Sequence, residues 1–387
     1  MHLDQAWSLL LIALAAAVLP GVSRWLRLPE VAVQIVFGIL LGKSALNLQM
    51  EGQFLPFLGE LGFLLLMFQA GMELDFSAMG RQSKGRLAFQ FLVFGMTFVM
   101  AAGAAHLLGQ GMFTTLVLTT TSLGLVVPSL KEAGIIRAGL GQTVLIAATL
   151  ADFLTLFGIT FFVLWREEGL SWGLASPLPF LVGFALLLKL ARLWVWWNPD
   201  KASRILAADD AQELGVRMSL AVLFLLVAVS ELVHLEPVLG AFLGGAMLAF
   251  MFRDRQALES KLSGMAYGFF IPIFFINVGM NFDLGNVATP ERLGLTAALF
   301  GAAIVVKVVP GLLLTLLGFS LREAAAAGLL LASRLSLIIA AAALGVQYGF
   351  VTEQFKDSVV LLAVLTCLAG PSLFRLVYPA KKEKSGA

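Results

Sequence analysis

Long apolar runs, most of them close to 20 residues, constrain this chain of 387 residues more than any other feature. A bilayer's hydrocarbon layer is about 30 Å thick and a helix rises about 1.5 Å per residue, so a run of this length can span it. Charged residues make up 13% of the chain, which is too few to cover a water-facing surface. The sequence therefore predicts an all-α, polytopic membrane protein of about 13 transmembrane helices. The predicted helices are 6–23, 29–42, 54–72, 87–108, 111–130, 141–164, 175–196, 214–234, 237–252, 262–280, 293–317, 322–346 and 357–378.

The basic residues divide unequally between the loops on the two sides of these helices. If the spans alternate from an outer N-terminus, 20 of the 26 Lys and Arg residues lie on the cytoplasmic side and 4 on the outer side. The other two, Lys307 and Arg334, lie inside predicted helices. Basic residues concentrate in cytoplasmic loops. We therefore expect a multi-pass protein of the cell inner membrane, with its N-terminus outside and a short cytoplasmic tail over 381–387.

Two short segments with a shared Gly-Met pair echo each other, at 68–76 and at 276–284. They end the third and the tenth predicted helices, and helices seven apart run in opposite directions. Secondary transporters are often built from such inverted repeats. We expect helices 2–6 and 9–13 to be the repeats, although a chance Gly-Met pair would give the same echo.

Three ionisable side chains lie deep within predicted helices. Asp152 is about 16 Å from one end of its helix, Lys307 is about 21 Å from the end of its own, and Arg334 is near the middle of a third. Charged groups at this depth are costly and are functional candidates by default. The alternative is a buried ion pair with a purely structural role.

Hydroxyl groups mark the middle of the fifth and the twelfth predicted helices. The first set is Thr119, Thr120, Thr121 and Ser122, followed by Gly124 and Pro128; the second is Ser333 and Ser336, on either side of Arg334. Such residues weaken a helix and supply oxygen ligands, and a break at membrane depth is tolerated where its backbone lines a cavity or is covered by protein. We therefore predict two broken helices that cross; hydrogen bonding between unbroken helices is the alternative. Glu60, early in the third helix, fits a locally hydrogen-bonded carboxylate better than a transport ligand.

The chain resembles the bacterial sodium or potassium/proton exchangers of the cation:proton antiporter-2 branch, nearly from end to end. The blocks that carry the resemblance are Leu28-Pro29-Glu30 with Gly38-Ile39-Leu40-Leu41-Gly42, Glu60-Leu61-Gly62 with Phe68-Gln69-Ala70-Gly71-Met72-Glu73-Leu74-Asp75, Thr119-Thr120-Thr121-Ser122, Phe274-Phe275-Ile276-Asn277-Val278-Gly279-Met280, and Lys307. Each block is weak alone, and five in order are specific to the superfamily.

This resemblance implies a single transmembrane antiporter domain over 1–380. Core helices at about 87–164 and 293–378 would carry two crossing broken helices near an ion-binding aspartate. Scaffold helices at about 6–72 and 175–280 would form a homodimer in the bilayer. The family exchanges cations for protons as the core moves against the scaffold.

Two departures from the family pattern affect the expected site. Members place a second polar or acidic residue directly before the binding aspartate, where this chain has Ala151, and many carry a glutamate where it has Ser336. With Asp152 as the one acidic ligand, an electroneutral exchange is favoured. Lys307 would then either pair with Asp152 or lie buried without an acidic partner.

The sequence thus predicts a Na⁺/H⁺ or K⁺/H⁺ antiporter in which a proton and a monovalent cation compete for Asp152. The hydroxyl and carbonyl oxygens of Thr119, Thr120, Thr121 and Ser122 would complete the cation site, with Lys307 and Arg334 as supporting charges. Two alternatives remain: a channel or ion sensor on the same fold, and a sodium-coupled organic-anion symporter. An enzyme is disfavoured because no nucleophile–base pair or metal cluster is visible, and neither a cofactor nor a nucleic-acid partner is expected.

Overall fold

The structure is a computed structural model. It describes residues 2–3, 5–26, 28–50, 54–74, 84–136, 138–169, 177–198, 213–233, 235, 237–252 and 256–378. The described residues form an all-α fold, apart from two-residue strands at His2–Leu3 and Gln49–Met50 that pair in parallel. The helices are α1 (Gln5–Leu26), α2 (Glu30–Leu41), α3 (Phe54–Met72), α4 (Lys84–Leu107), α5 (Met112–Thr119), α6 (Leu123–Glu132), α7 (Gly139–Glu168), α8 (Pro177–Trp197), α9 (Leu214–Leu232), α10 (Pro237–Met251), α11 (Gln256–Met265), α12 (Ile271–Asn281), α13 (Pro290–Gly311), α14 (Leu321–Leu331), α15 (Ser336–Gln347) and α16 (Glu353–Val377).

Helical structure lies within each of the thirteen predicted segments. Among the described residues, nine helical stretches are long and apolar enough to cross a membrane, and one of them includes the junction of α5 and α6. Three shorter apolar helices lie at Glu30–Leu41, Pro237–Met251 and Leu337–Gln347. The all-helical membrane fold is therefore confirmed, and the number of thirteen spans stays a prediction.

The chain divides into two compact units that alternate along the sequence. The first consists of residues 1–76 and 160–282, and the second of residues 77–159 and 283–387. The predicted scaffold helices fall in the first unit, and the predicted core helices fall in the second, apart from the end of α7. The functional roles of scaffold and core stay predictions.

Helices of the first unit pack closely through glycine. A Cβ atom at Gly38 of α2 would lie 2.2 Å from the carbonyl oxygen of Ile276, and one at Gly245 of α10 would lie 1.9 Å from that of Phe68. Helices approach this closely where small residues stand at the contact. Glu60, on α3 of this unit, is exposed, and its expected local hydrogen bond stays a prediction.

A five-residue π turn, Ala266–Phe270, joins α11 to α12 in the first unit. Gly62 of α3 packs against this turn, because a Cβ atom at position 62 would lie 2.1 Å from the carbonyl oxygen of Phe270. The glycine-rich block of α3 therefore makes room for an irregular turn of the neighbouring helix.

The second unit contains both predicted broken helices. Residues 120–122 are non-helical between α5 and α6, and residues 332–335 are non-helical between α14 and α15. The hydroxyl groups of Thr119 and Thr120 bond back to the carbonyls of Leu116 and Val117, both at 2.8 Å. Such bonds compete with the helical ladder and end α5 at this point. The two breaks touch each other, because the Thr121 hydroxyl donates to the Leu331 carbonyl at 3.3 Å, which confirms the predicted crossing.

Candidate functional site

Lys307 lies beside the first break. It projects from α13, is 5% exposed, and donates from Nζ to the carbonyl oxygen of Thr119 and to the hydroxyl of Thr121, each at 2.7 Å. The Thr119 carbonyl ends α5, where helix carbonyls lack partners and carry partial negative charge. The ammonium group therefore compensates the C-terminal end of this half-helix.

Thr121 connects the two breaks through its hydroxyl group. The oxygen accepts a hydrogen bond from Lys307 and donates its own proton to the Leu331 carbonyl at the end of α14. One threonine thus joins a cation on α13 to both half-helix ends, and its side chain is fully buried. This position couples the geometry of the two broken helices.

Asp152 faces the opposite end of the break. It projects from α7, is 7% exposed, and lies near the backbone N–H groups of Thr121 and Leu123, where α6 begins. A helix N-terminus attracts a carboxylate because its N–H groups and dipole are positive. Its Oδ1 atom is buried without a hydrogen-bond partner. That oxygen is a ready acceptor for a proton or a cation.

Asp152 and Lys307 interact electrostatically across the break, but these two side chains form no direct ion pair. Lys307 instead takes carbonyl and hydroxyl partners, so the proposed pairing with Asp152 is not the arrangement found. Ala151, which precedes the aspartate, is 4% exposed and supplies no polar group. Among the described residues, Asp152 is the acidic side chain near the break.

The predicted cation ligands meet at the break with different hydrogen-bonding roles. All four hydroxyl-bearing residues are buried, and Ser122 is the most exposed of them at 3%. The hydroxyl protons of Thr119 and Thr120 point back to carbonyls of α5, so that their oxygen atoms can act as acceptors. The break therefore presents oxygen atoms together with one carboxylate.

Arg334 fills the second break. It is fully buried, and its guanidinium donates to three carbonyl oxygens: Leu118 at 2.5 Å, and Ala303 and Ala332 each at 3.2 Å. The preceding Ser333 is buried without a partner for its hydroxyl, and Gly370 of α16 makes room for it. The structure thus brings Arg334 and Ser333 to the crossing, whereas the side chain of Ser336 lies outside the described residues.

Two buried threonines at the site were missed by the sequence analysis. Thr155 donates to the hydroxyl of Thr119 at 3.4 Å, and it follows Asp152 by three residues on the same helix. Thr366 of α16 donates to the carbonyl oxygen of Arg334 at 3.4 Å. The spacing of Thr155 from Asp152 places both on one helix face, and this signal was available in the sequence.

With this geometry established, comparison with known proteins decides the family. The family model described as "Sodium/hydrogen exchanger, transmembrane" matches residues 10–378. The chain belongs to this family. The predicted resemblance to cation/proton exchangers is therefore confirmed, and the family and the fold are those of transporters.

Relatives with similar sequences include YjbQ of Bacillus subtilis (strain 168), which is 29% identical in an alignment of 379 residues that covers 92% of this chain. The chain spans 60% of the length of YjbQ. GerN of Bacillus cereus, named as a Na⁺/H⁺-K⁺ antiporter, is 24% identical over 99% of this chain and 98% of its own length.

The fold is also similar to that of MjNhaP1, a sodium proton antiporter from Methanocaldococcus jannaschii whose structure was determined at pH 8. The TM-score is 0.68 over 96% of this chain and 97% of MjNhaP1, with 12% sequence identity. At 12% identity, this structural similarity supports the fold alone.

Proposed function

We propose that this chain is a secondary transporter that exchanges a monovalent cation, Na⁺ or K⁺, for protons by alternating access. The single observation that carries the proposal is the Oδ1 atom of Asp152, buried without a partner in front of a broken helix. A proton and a cation compete for this carboxylate, and a site that binds one or the other and opens to each side in turn performs exchange. The family and the name of GerN support the choice of cations.

Cation binding at this site requires a rearrangement of Lys307. Its ammonium group occupies the Thr119 carbonyl and the Thr121 hydroxyl, two of the oxygens proposed as cation ligands. A metal ion that takes these oxygens must displace the ammonium, and the carboxylate of Asp152 then balances the added charge. The hydroxyls of Thr120 and Ser122 are further candidates for the coordination shell.

We propose electroneutral exchange, with one cation moved for one proton. Among the described residues, Asp152 is the one carboxylate near the break, and Ala151 stands where family members carry a second polar group. One monovalent cation bound there releases one proton. In vesicles, the exchange rate should be independent of an imposed membrane potential; a rate that follows the voltage would show that more than one proton moves per cation.

The unequal distribution of Lys and Arg residues supports an inner-membrane protein with its N-terminus outside and its C-terminus in the cytoplasm. We further propose a homodimer built on the first unit, as the family resemblance implies. Cysteine labelling from each side of the membrane tests the orientation, and the mass of the detergent-solubilised protein by light scattering tests the dimer. A monomer in mild detergent and in lipid nanodiscs would contradict it.

The decisive experiment measures proton movement in vesicles with a pH-sensitive dye after separate additions of Na⁺, K⁺ and Li⁺. We expect a response to at least one cation, and its loss in Asp152→Asn. The matched control is Asp357→Asn, which alters another buried aspartate of the same unit and keeps an oxygen that can accept from Asn286. Wild-type flux in Asp152→Asn would contradict the proposal.

A non-exchanging ion sensor or channel is the second candidate, and Ala151 is the observation that favours it. A sensor binds the cation without moving protons, and a channel carries the cation without proton exchange. If the reconstituted wild-type protein binds ²²Na⁺ or ⁸⁶Rb⁺ but moves no protons with any cation, this second function replaces the first.

A further inference from the structure

Arg334 is the largest fully buried side chain of the described residues, and its hydrogen-bond partners are all backbone carbonyls. Within the described part of the chain it forms no ion pair with a carboxylate. A buried guanidinium is costly unless its donors are satisfied, and removing its partners is strongly destabilising. The helices that carry these three carbonyls are therefore the ones that Arg334 holds in place.

Two of the carbonyls belong to helix ends. Leu118 lies in the last turn of α5, and Ala332 directly follows α14, so each carbonyl has lost its helical partner. Both half-helices direct the negative end of their dipoles toward the crossing. One guanidinium thus compensates the C-terminal ends of both broken helices, and Thr119, next to Leu118, supplies the carbonyl that Lys307 binds.

The third carbonyl connects Arg334 to Lys307 by another route. Ala303 and Lys307 both lie in α13, four residues apart. In an α-helix the carbonyl of residue 303 accepts the backbone N–H of residue 307. The guanidinium therefore binds the helical turn that carries Lys307, at 3.2 Å from the Ala303 oxygen.

We propose that Arg334 is a positioning residue for Lys307, an inference that rests on the proposed function. Arg334 supplies a fixed positive charge at both half-helix ends and holds the turn of α13 from which Lys307 projects. Arginine keeps its proton far more firmly than lysine does in proteins. Lys307 can then leave its oxygen partners when a cation arrives, while the helix ends remain compensated.

A double-mutant cycle tests this division of roles. Wild type, Lys307→Gln, Arg334→Gln and the double variant are compared by ²²Na⁺ and ⁸⁶Rb⁺ binding to the purified protein. We expect Arg334→Gln to change the affinity by about tenfold when Lys307 is present, the effect of one charge-assisted hydrogen bond. When Lys307 has been replaced, the same substitution should change the affinity by less than about threefold.

Arg334→Lys adds a test of charge, because it keeps the positive charge with fewer donors. We expect the affinity of this variant to lie between those of wild type and Arg334→Gln, because a buried lysine keeps a charge but has fewer donors and holds its proton less firmly. The control is Thr296→Val, which replaces a buried, unpartnered hydroxyl on the same helix as Lys307 and should leave binding unchanged.

Equal effects of Arg334→Gln in both backgrounds, or no effect in either, would overturn the proposal. So would an Arg334→Lys variant as impaired as Arg334→Gln, or failure of both Arg334 variants to fold in thermal unfolding assays, because the arginine would then be purely structural. Failure of the proposed function has a different signature: the wild-type protein itself would bind neither ion and exchange neither for protons.

Discussion

Gly328 of α14 lies against the part of α13 that carries Lys307. A Cβ atom at this position would lie 2.6 Å from the Cα atom of Val308 and 3.0 Å from the carbonyl oxygen of Lys307. Ordinary contacts of a Cβ atom begin at 3.4 Å, so the substitution Gly328→Ala must separate the two helices by nearly 1 Å. The position of Lys307 relative to α14 therefore depends on a contact between α13 and α14 that has no room for a methyl group.

The cost of Gly328→Ala in the free energy of unfolding is compared with that of Gly301→Ala, a control on the same helix as Lys307. Overpacking a well-packed contact costs about 1–3 kcal/mol. Alanine in place of glycine gains up to about 1 kcal/mol in a helix interior. Gly301 of α13 has nothing within 4 Å of the added atom, so Gly301→Ala receives this gain without the overpacking. The free energies of unfolding of the two variants should therefore differ by about 1–3 kcal/mol, because the propensity gain cancels.

The functional effect of Gly328→Ala follows from the hydrogen bond between Lys307 and the carbonyl of Thr119. The Nζ atom and the carbonyl oxygen are 2.7 Å apart, and a shift of α13 by nearly 1 Å takes them out of hydrogen-bond distance. A displacement of this size at a binding site can cost about a hundredfold in rate. We expect Gly328→Ala to lose most exchange activity in vesicles and Gly301→Ala to keep it. If Gly328→Ala were as stable and as active as Gly301→Ala, the argument from close packing would be refuted.

Two further predictions concern single hydrogen bonds of the second unit. Thr121→Val removes the oxygen that accepts from Lys307 and donates to the Leu331 carbonyl. We expect the exchange rate in vesicles to fall by about tenfold and the free energy of unfolding to fall by about 1–3 kcal/mol; an unchanged rate would contradict the bridging role of this threonine. Asn286→Ala removes the donor at 2.8 Å from the buried carboxylate of Asp357, and we expect a loss of about 1–3 kcal/mol in the free energy of unfolding with unchanged ²²Na⁺ or ⁸⁶Rb⁺ affinity. A changed affinity would mean that Asp357 also takes part in ion binding.

The helices and their breaks could be predicted from the sequence because both leave local signals. Apolar runs of fixed length mark the spans, and the hydroxyl groups at Thr119 and Thr120 mark the end of α5. The depth of Asp152, Lys307 and Arg334 in their helices also followed from residue counting. All three lie in the second unit, at the two breaks.

The partners of the two cations could not be predicted in the same way. Arg334 binds the carbonyls of Leu118, Ala303 and Ala332, and a backbone carbonyl has no side chain that would mark it as a partner in the sequence. Thr155 was overlooked because a threonine in an apolar helix is common and gives no signal except its spacing from Asp152.

The π turn over residues 266–270 was not foreseen either. It contains no proline and lies within a continuous apolar stretch, so neither composition nor periodicity distinguishes it from an ordinary helix. Its glycine partner on α3, Gly62, belongs to one of the blocks that carry the family resemblance, and its packing role depends on a neighbour about 200 residues away in the chain.

The alternation of the two units along the chain has a consequence for biosynthesis. Lys307 is added to the growing chain 155 residues after Asp152. At about 5–20 residues per second, this interval lasts roughly 8–30 s. During that time the ribosome has delivered α5 and α6 but not the lysine that compensates the carbonyl of Thr119 or the arginine that binds Leu118. Uncompensated backbone groups are costly within a bilayer. The first broken helix must therefore remain in an unfinished state, and this half of the proposed ion site enters the membrane well before its charges are balanced.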